Sequence, residues 1–290
     1  MLWFSLAFLT ALFSATEAAY LKRSFPDLNP FEAALLPSVY SIPLFATLLI
    51  FIEIPDLSPE FWPTFSLLLP INIAGVLLYF RGINLSPLSL TLPYLAFTPA
   101  FALVTGYFIL GEVPNAWGAS GVLFIVLGSY VLNLEAKQIG GWLAPFKAIT
   151  AEPGTRAMLG AALVYAFSAV LGKKGIIESD PLFFGCTFFI AQGLIMLITL
   201  PLLGKARLSA LRIAPAKGMI LGILVFIHII CHCLAMSMVK AAYMIAIKRL
   251  NAVFGVLLGG LWLKETGMGA KLAGASMMFA GATVIGLLGK

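Results

Sequence analysis

The 290-residue chain is 61% hydrophobic and only 10% charged, whereas a soluble domain is about 45–50% apolar and about 25% charged. That much apolar surface cannot be hidden in one globular core, so most of it must face lipid. Eighteen Lys and Arg against twelve Asp and Glu give a formal charge of +6. The basic residues sit at the ends of apolar runs and form no stripe interleaved with aromatics, which argues against nucleic acid as a partner.

A bilayer core about 30 Å thick takes about 20 apolar residues per helix. Ten such runs follow one another, at 2–21, 30–51, 61–80, 87–110, 114–133, 157–172, 181–203, 217–239, 242–263 and 269–288. None alternates polar and apolar residues as a membrane barrel strand does. The fold is therefore predicted to be all-α, with ten transmembrane helices. The first run holds small residues (Ser14, Ala15, Ala18, Ala19) as a signal peptide would, but no basic segment follows Met1, so it reads as the first span.

The punctuation agrees. Asn29-Pro30 and Asp180-Pro181 each place a capping side chain before a proline at the first helical position. Pro37, Pro43, Pro70, Pro93 and Pro99 are expected to kink the second, third and fourth runs, freeing carbonyls that could line a cavity. One longer polar connection, 134–156, carries Pro145, Pro153 and Gly154 and divides the chain into halves at 1–133 and 157–290. Cys186, Cys231 and Cys233 lie inside apolar runs and offer no disulfide framework.

The two halves repeat. A shift of 153 residues pairs Phe101 with Phe254, Gly106 with Gly259, Leu110 with Leu263 and Glu112 with Glu265. The same shift pairs Gly121 with Gly274, Gly128 with Gly281 and Val131 with Val284. A shift of 151 pairs Leu12 with Leu163, Ala15 with Ala166, Ala18 with Ala169, Lys22 with Lys173 and Pro30 with Pro181. Five spans per half is an odd number, so the second half must enter the membrane from the opposite side. A 5+5 inverted repeat of this kind places a substrate site near the midplane and works by alternating access.

Charge inside a membrane helix is expensive and marks a candidate site. Lys248 and Arg249 lie in the first third of the ninth run, projecting about 100° apart. Both could line one cavity and hold a phosphate or carboxylate; snorkelling to the interface or pairing with Glu17 or Glu32 is the other reading. Glu17, in the first run, is a proton-coupling candidate or a partner for those cations. His228 and His232 are one turn apart and could hold a metal or relay a proton, although polar contact between helices is the plainer role. Asn72, Tyr79 and Tyr94 are taken as substrate-binding candidates, with Tyr107, Tyr165 and Tyr243 as further cavity walls or plain packing. Gly255 and Gly259, with Ala102 and Gly106 opposite in the repeat, suggest close helix contact within a monomer or at a dimer seam.

These stretches, 99–128 with Leu-Gly-Glu at 110–112 and 246–281 with Leu-Lys-Glu at 263–265, resemble the drug/metabolite transporter superfamily, and within it the ten-helix EamA-type permeases. The resemblance covers nearly the whole chain. It implies a secondary transporter, often an exporter of metabolites, amino acids or toxic compounds, in the cell inner membrane with both termini cytoplasmic. Nucleotide-sugar and plastid triose-phosphate translocators share that fold. Lys248-Arg249 looks like the substrate-anion pair of the latter, whose further lysine, four residues before a proline, is Leu95 here, ahead of Pro99. Glu17 resembles the helix-1 glutamate of small multidrug-resistance transporters, about one turn farther from the matching lysine.

The expected function is thus secondary transport of a small metabolite, anionic or zwitterionic, with protons as the candidate coupling ion and no cofactor. A lipid-carrier flippase, an intramembrane enzyme and a structural subunit are the alternatives. No nucleotide-binding loop is present to drive transport by ATP. Orientation is divided between two readings: loops after the odd runs hold twelve Lys and Arg and the other side four, which by the positive-inside rule puts both termini outside.

Overall fold

The computed structural model of the chain describes residues 1–85, 92–133, 152–263 and 268–289. Every regular element among them is helical: α1 (Leu2–Ser24), α2 (Pro30–Phe51), α3 (Phe61–Leu85), a 3-10 turn (Leu92–Phe97) leading into α4 (Thr98–Leu110), α5 (Ala116–Asn133), α6 (Pro153–Ile177), α7 (Pro181–Leu202), a second 3-10 turn (Leu208–Arg212), α8 (Pro215–Met238), α9 (Ala241–Lys248), α10 (Asn251–Leu263) and α11 (Met268–Leu288). Six helices are long and apolar enough to cross a membrane: α1, α2, α3, α6, α7 and α8. Large apolar side chains point outward, Phe108 at 78% exposure and Trp117 at 60% among them, as a lipid-facing surface requires.

The expected caps form. Asn29 Oδ1 accepts from the Phe31 and Glu32 amides, and Glu32 returns a bond to the Asn29 amide, closing a capping box. Asp180 Oδ1 accepts from the Leu182 and Phe183 amides. Glu32 also takes the Arg207 guanidinium at 2.7 Å, which holds that guanidinium above its ordinary pKa and ties α2 to the loop after α7.

Four expectations need correction. The sixth span extends well beyond 157–172 at both ends: Pro153 opens it and it runs through Lys173 and Lys174 to Ile177, because both lysines find carboxylates there, Glu112 and Glu178. The ninth run is two helices, not one. Around Arg249 and Leu250 the i→i−4 ladder is tightened by i→i−3 bonds, Arg249 N to Ala246 O at 3.0 Å and Leu250 N to Ile247 O at 3.0 Å. Pro99 starts a helix rather than kinking one, standing in the first turn of α4 after the 3-10 turn. Finally, a Cβ built on Gly255 meets no atom within 4 Å among the described residues, so Gly255 makes no close helix contact within the chain there; the side chains around position 259 lie outside the described residues, as do Glu265 and most of the 134–156 connection.

Close contact is made instead by α5 against α11. A Cβ on Gly121 would meet Gly281 O at 2.8 Å, and one on Gly128 would meet Gly274 O at 2.7 Å. Residues seven apart share one helical face, so two glycines on each helix let the backbones touch along two turns. Phe4 packs on Gly286 and Asn115 Nδ2 donates to Leu288 O at 2.7 Å, which brings the N- and C-terminal ends of the chain to the same end of the bundle.

Candidate functional site

A cavity of about 430 Å³ opens between the helices. Its polar lining gathers from many elements: Glu17 of α1, Ser38 and Ser41 of α2, Asn72 of α3, Thr98 of α4, Ser168 of α6, Gln192 of α7, His228 and His232 of α8, and Lys248, Arg249 and Asn251 from the α9–α10 junction. Phe184, Phe188 and Phe189 of α7 supply an apolar wall, Phe184 and Phe188 stacked at 5.4 Å.

The break between α9 and α10 positions the cations. Arg249 Nη2 donates to Thr98 Oγ1 at 2.7 Å, and Thr98 is the first residue of α4, just past that helix's own 3-10 turn. The interrupted fourth and ninth spans therefore meet at this bond. Arg249 Nε is buried without a hydrogen-bond partner. Lys248 borders the same cavity, and no hydrogen bond or ion pair holds its ammonium among the described residues.

Negative charge comes from α1. Glu17 Oε2 lies 3.0 Å from His228 Nδ1, a close approach without hydrogen-bond geometry, since Nδ1 has no hydrogen-bond partner. His232, one turn on, also lines the cavity with a buried, unpartnered Nδ1. Among the described residues no three His, Cys, Asp or Glu groups are disposed to hold a metal.

The structure thus gathers Glu17, Asn72, Tyr165, His228, His232, Lys248 and Arg249 around one space. Asn72 donates to Ser168 Oγ at 2.7 Å. Tyr94, 2% exposed, packs with Met158 and Ala161, Tyr79 partly buried beside them; neither is among the residues lining the cavity. Tyr107 faces outward at 56% exposure, and Tyr243 is fully buried, its ring against Gly118.

Gln192 escaped the sequence reading. Its amide oxygen is buried without a partner at the cavity wall. A lone amide inside an otherwise apolar run was the available signal.

The sequence matches the EamA-like transporter family twice, over residues 1–134 and 153–287. No curated protein matches it. Among solved structures, one crystal structure superposes with a TM-score of 0.75, covering 99% of this chain and 96% of its own at 17% identity. At that identity the likeness speaks for the fold alone.

Proposed function

Because the chain belongs to the EamA-like transporter family, within the drug/metabolite transporter superfamily, we propose that it is a secondary transporter of a small metabolite bearing an anionic group. It works by alternating access between two inverted five-span halves, 1–133 and 157–290, in the cell inner membrane. The observation that carries the substrate class is the junction of α9 and α10, which presents Lys248 and Arg249 to a cavity that also holds Glu17. A substrate carboxylate or phosphate takes the unused face of the guanidinium, and its arrival competes with Glu17 for the cations. Such competition couples binding to conformational change, because a ligand shifts an equilibrium only by preferring one state.

Two features support the repeat, and the second of them its inversion. The 153-residue shift carries α4, Thr98–Leu110, onto α10, Asn251–Leu263, end to end. The same shift exchanges the two glycine contacts of α5 and α11, since Gly121 and Gly281 become Gly274 and Gly128. A contact that maps onto its neighbour in this way fits a two-fold axis between antiparallel helices.

A thermal-shift screen of the purified protein tests the substrate class. Metabolites with a carboxylate or phosphate should raise the melting temperature, since a ligand at about 100 times its Kd stabilises by about 2.7 kcal/mol. Equal stabilisation by neutral analogues would defeat the anionic reading. We further propose that Glu17 carries the coupling proton. Glu17→Gln should then abolish dependence of transport on a proton gradient while leaving the protein folded. Proton-driven uptake into vesicles that survives the substitution would rule this role out.

A further inference from the structure

Glu112 and Lys173 meet in an ion pair across the two halves of the chain, their side chains only 13% and 10% exposed. Gly111 throws Glu112 into place: it takes a left-handed turn at φ 66, with Glu112 N bonded back to Gly106 O. Each partner makes a second bond to the turn that begins the ninth span. Lys173 Nζ donates to Val239 O at 2.6 Å. Glu112 Oε2 accepts from the Ala241 amide at 2.8 Å, capping the first turn of α9 with a negative charge. The cluster sits at the end of the bundle that carries both termini, where Asn115, three residues past Glu112, holds Leu288.

A buried ion pair is a poor way to stabilise a contact. Desolvating both charges costs about what their attraction returns, and apolar residues of similar size do as well. What the pair provides is a contact that can be made or broken as a unit, and its position decides what that does. Ala241 is the first residue of α9 and Lys248 the last. The helix is eight residues long, about 12 Å, and Ala241 to Ile247 are at most 7% exposed. A rod packed so tightly passes displacement from end to end. One end is held by Glu112; the other carries Lys248 into the cavity, with Arg249 next to it.

We propose that Glu112 and Lys173 form a bolt that closes the terminus-bearing end of the cavity, and that α9 joins this bolt to Lys248 and Arg249. The inference rests on the alternating-access reading above, but its test needs no substrate.

The probe is a membrane-impermeant maleimide applied to vesicles of either orientation, with a Ser38→Cys reporter in the cavity and Cys186, Cys231 and Cys233 replaced by alanine. With the bolt intact, labelling from the terminus-bearing side should be slow. Glu112→Gln and Lys173→Met should each raise it about tenfold, the change expected if the bolt shifts the equilibrium by about 1.4 kcal/mol. Glu112→Gln keeps an acceptor for the Ala241 amide, so α9 stays capped and the variant folds. Lys174→Met is the control: it removes a charge one residue away whose partner, Glu178, lies on the following turn at 3.3 Å, and should leave labelling unchanged. Unchanged labelling in Glu112→Gln and Lys173→Met, or an equal rise in Lys174→Met, overturns the proposal. Failure of the substrate-class reading shows separately, as anion binding that does not depend on Arg249.

Discussion

Gly274→Val should abolish stable folding, or lower the melting temperature of whatever protein survives by about 10 °C. A Cβ at this position meets Leu132 N at 2.4 Å, Gly128 O at 2.6 Å and Leu132 Cα at 2.6 Å, all backbone. Side chains can swing aside, but helical backbone cannot, so α11 would have to move bodily away from α5. Overpacking a tight core costs about 1–3 kcal/mol when the neighbours can yield, and here they cannot. A cost of about 3 kcal/mol, at the 2–4 °C per kcal/mol typical of chains of 150–250 residues, gives the stated shift. Gly255→Ala is the contrasting case: nothing stands within 4 Å of its Cβ among the described residues, and alanine favours a helix over glycine by about 1 kcal/mol. Thermal unfolding monitored in detergent should therefore show one variant lost and the other unchanged or slightly raised. Comparable losses in both would mean that the α5–α11 contact is not what the glycines serve.

The same pair of glycines shows how far the chain could be read unaided. The repeat matched Gly121 with Gly274 and Gly128 with Gly281 from spacing alone, because identities in register survive without any knowledge of contacts. Which glycines touch is a different question. Gly255 and Gly259 have the four-residue spacing of a familiar packing motif, whereas the contacts fall at glycines seven apart, and nothing local in a run of apolar residues separates the two cases. Six of the ten runs, those of α1, α2, α3, α6, α7 and α8, were legible because lipid imposes a length on a spanning helix. The break at Arg249 was not, because residues on both sides are equally apolar and the tightened turn carries no Gly or Pro to announce it. Lys173 and Glu112 are 61 residues apart; as sequence, they were a basic residue and an acidic one just beyond the ends of the expected runs, places where charge needs no explanation. Burial makes them informative, and burial is a property of the assembled bundle. Glu17, Lys248 and Arg249, by contrast, stood inside spans and could be picked out by cost alone.

Arg249→Met is expected to weaken binding of an anionic substrate about a hundredfold or more, the largest functional effect of any single substitution in the cavity. Removing one partner of a desolvated charge pair typically costs 2–5 kcal/mol, part of it the penalty of leaving the other charge unpaired. The guanidinium spends one terminal nitrogen on Thr98 Oγ1 and borders the cavity, so its charge is available to the ligand. Arg249→Lys keeps the charge and loses the fork. A lysine offers a compact ammonium in place of paired parallel donors, and binding should fall by about tenfold, one neutral-strength hydrogen bond or slightly more. Lys248→Met should weaken binding too, yet raise the melting temperature of the empty protein, since it removes a cation from the protein interior that has no ion pair among the described residues. The three variants therefore separate charge, geometry and the cost of holding charge in the cavity. Calorimetric titration with a carboxylate or phosphate ligand found by the thermal-shift screen measures the affinities. Anion affinity in Arg249→Met equal to that of the unmodified protein would place the site elsewhere.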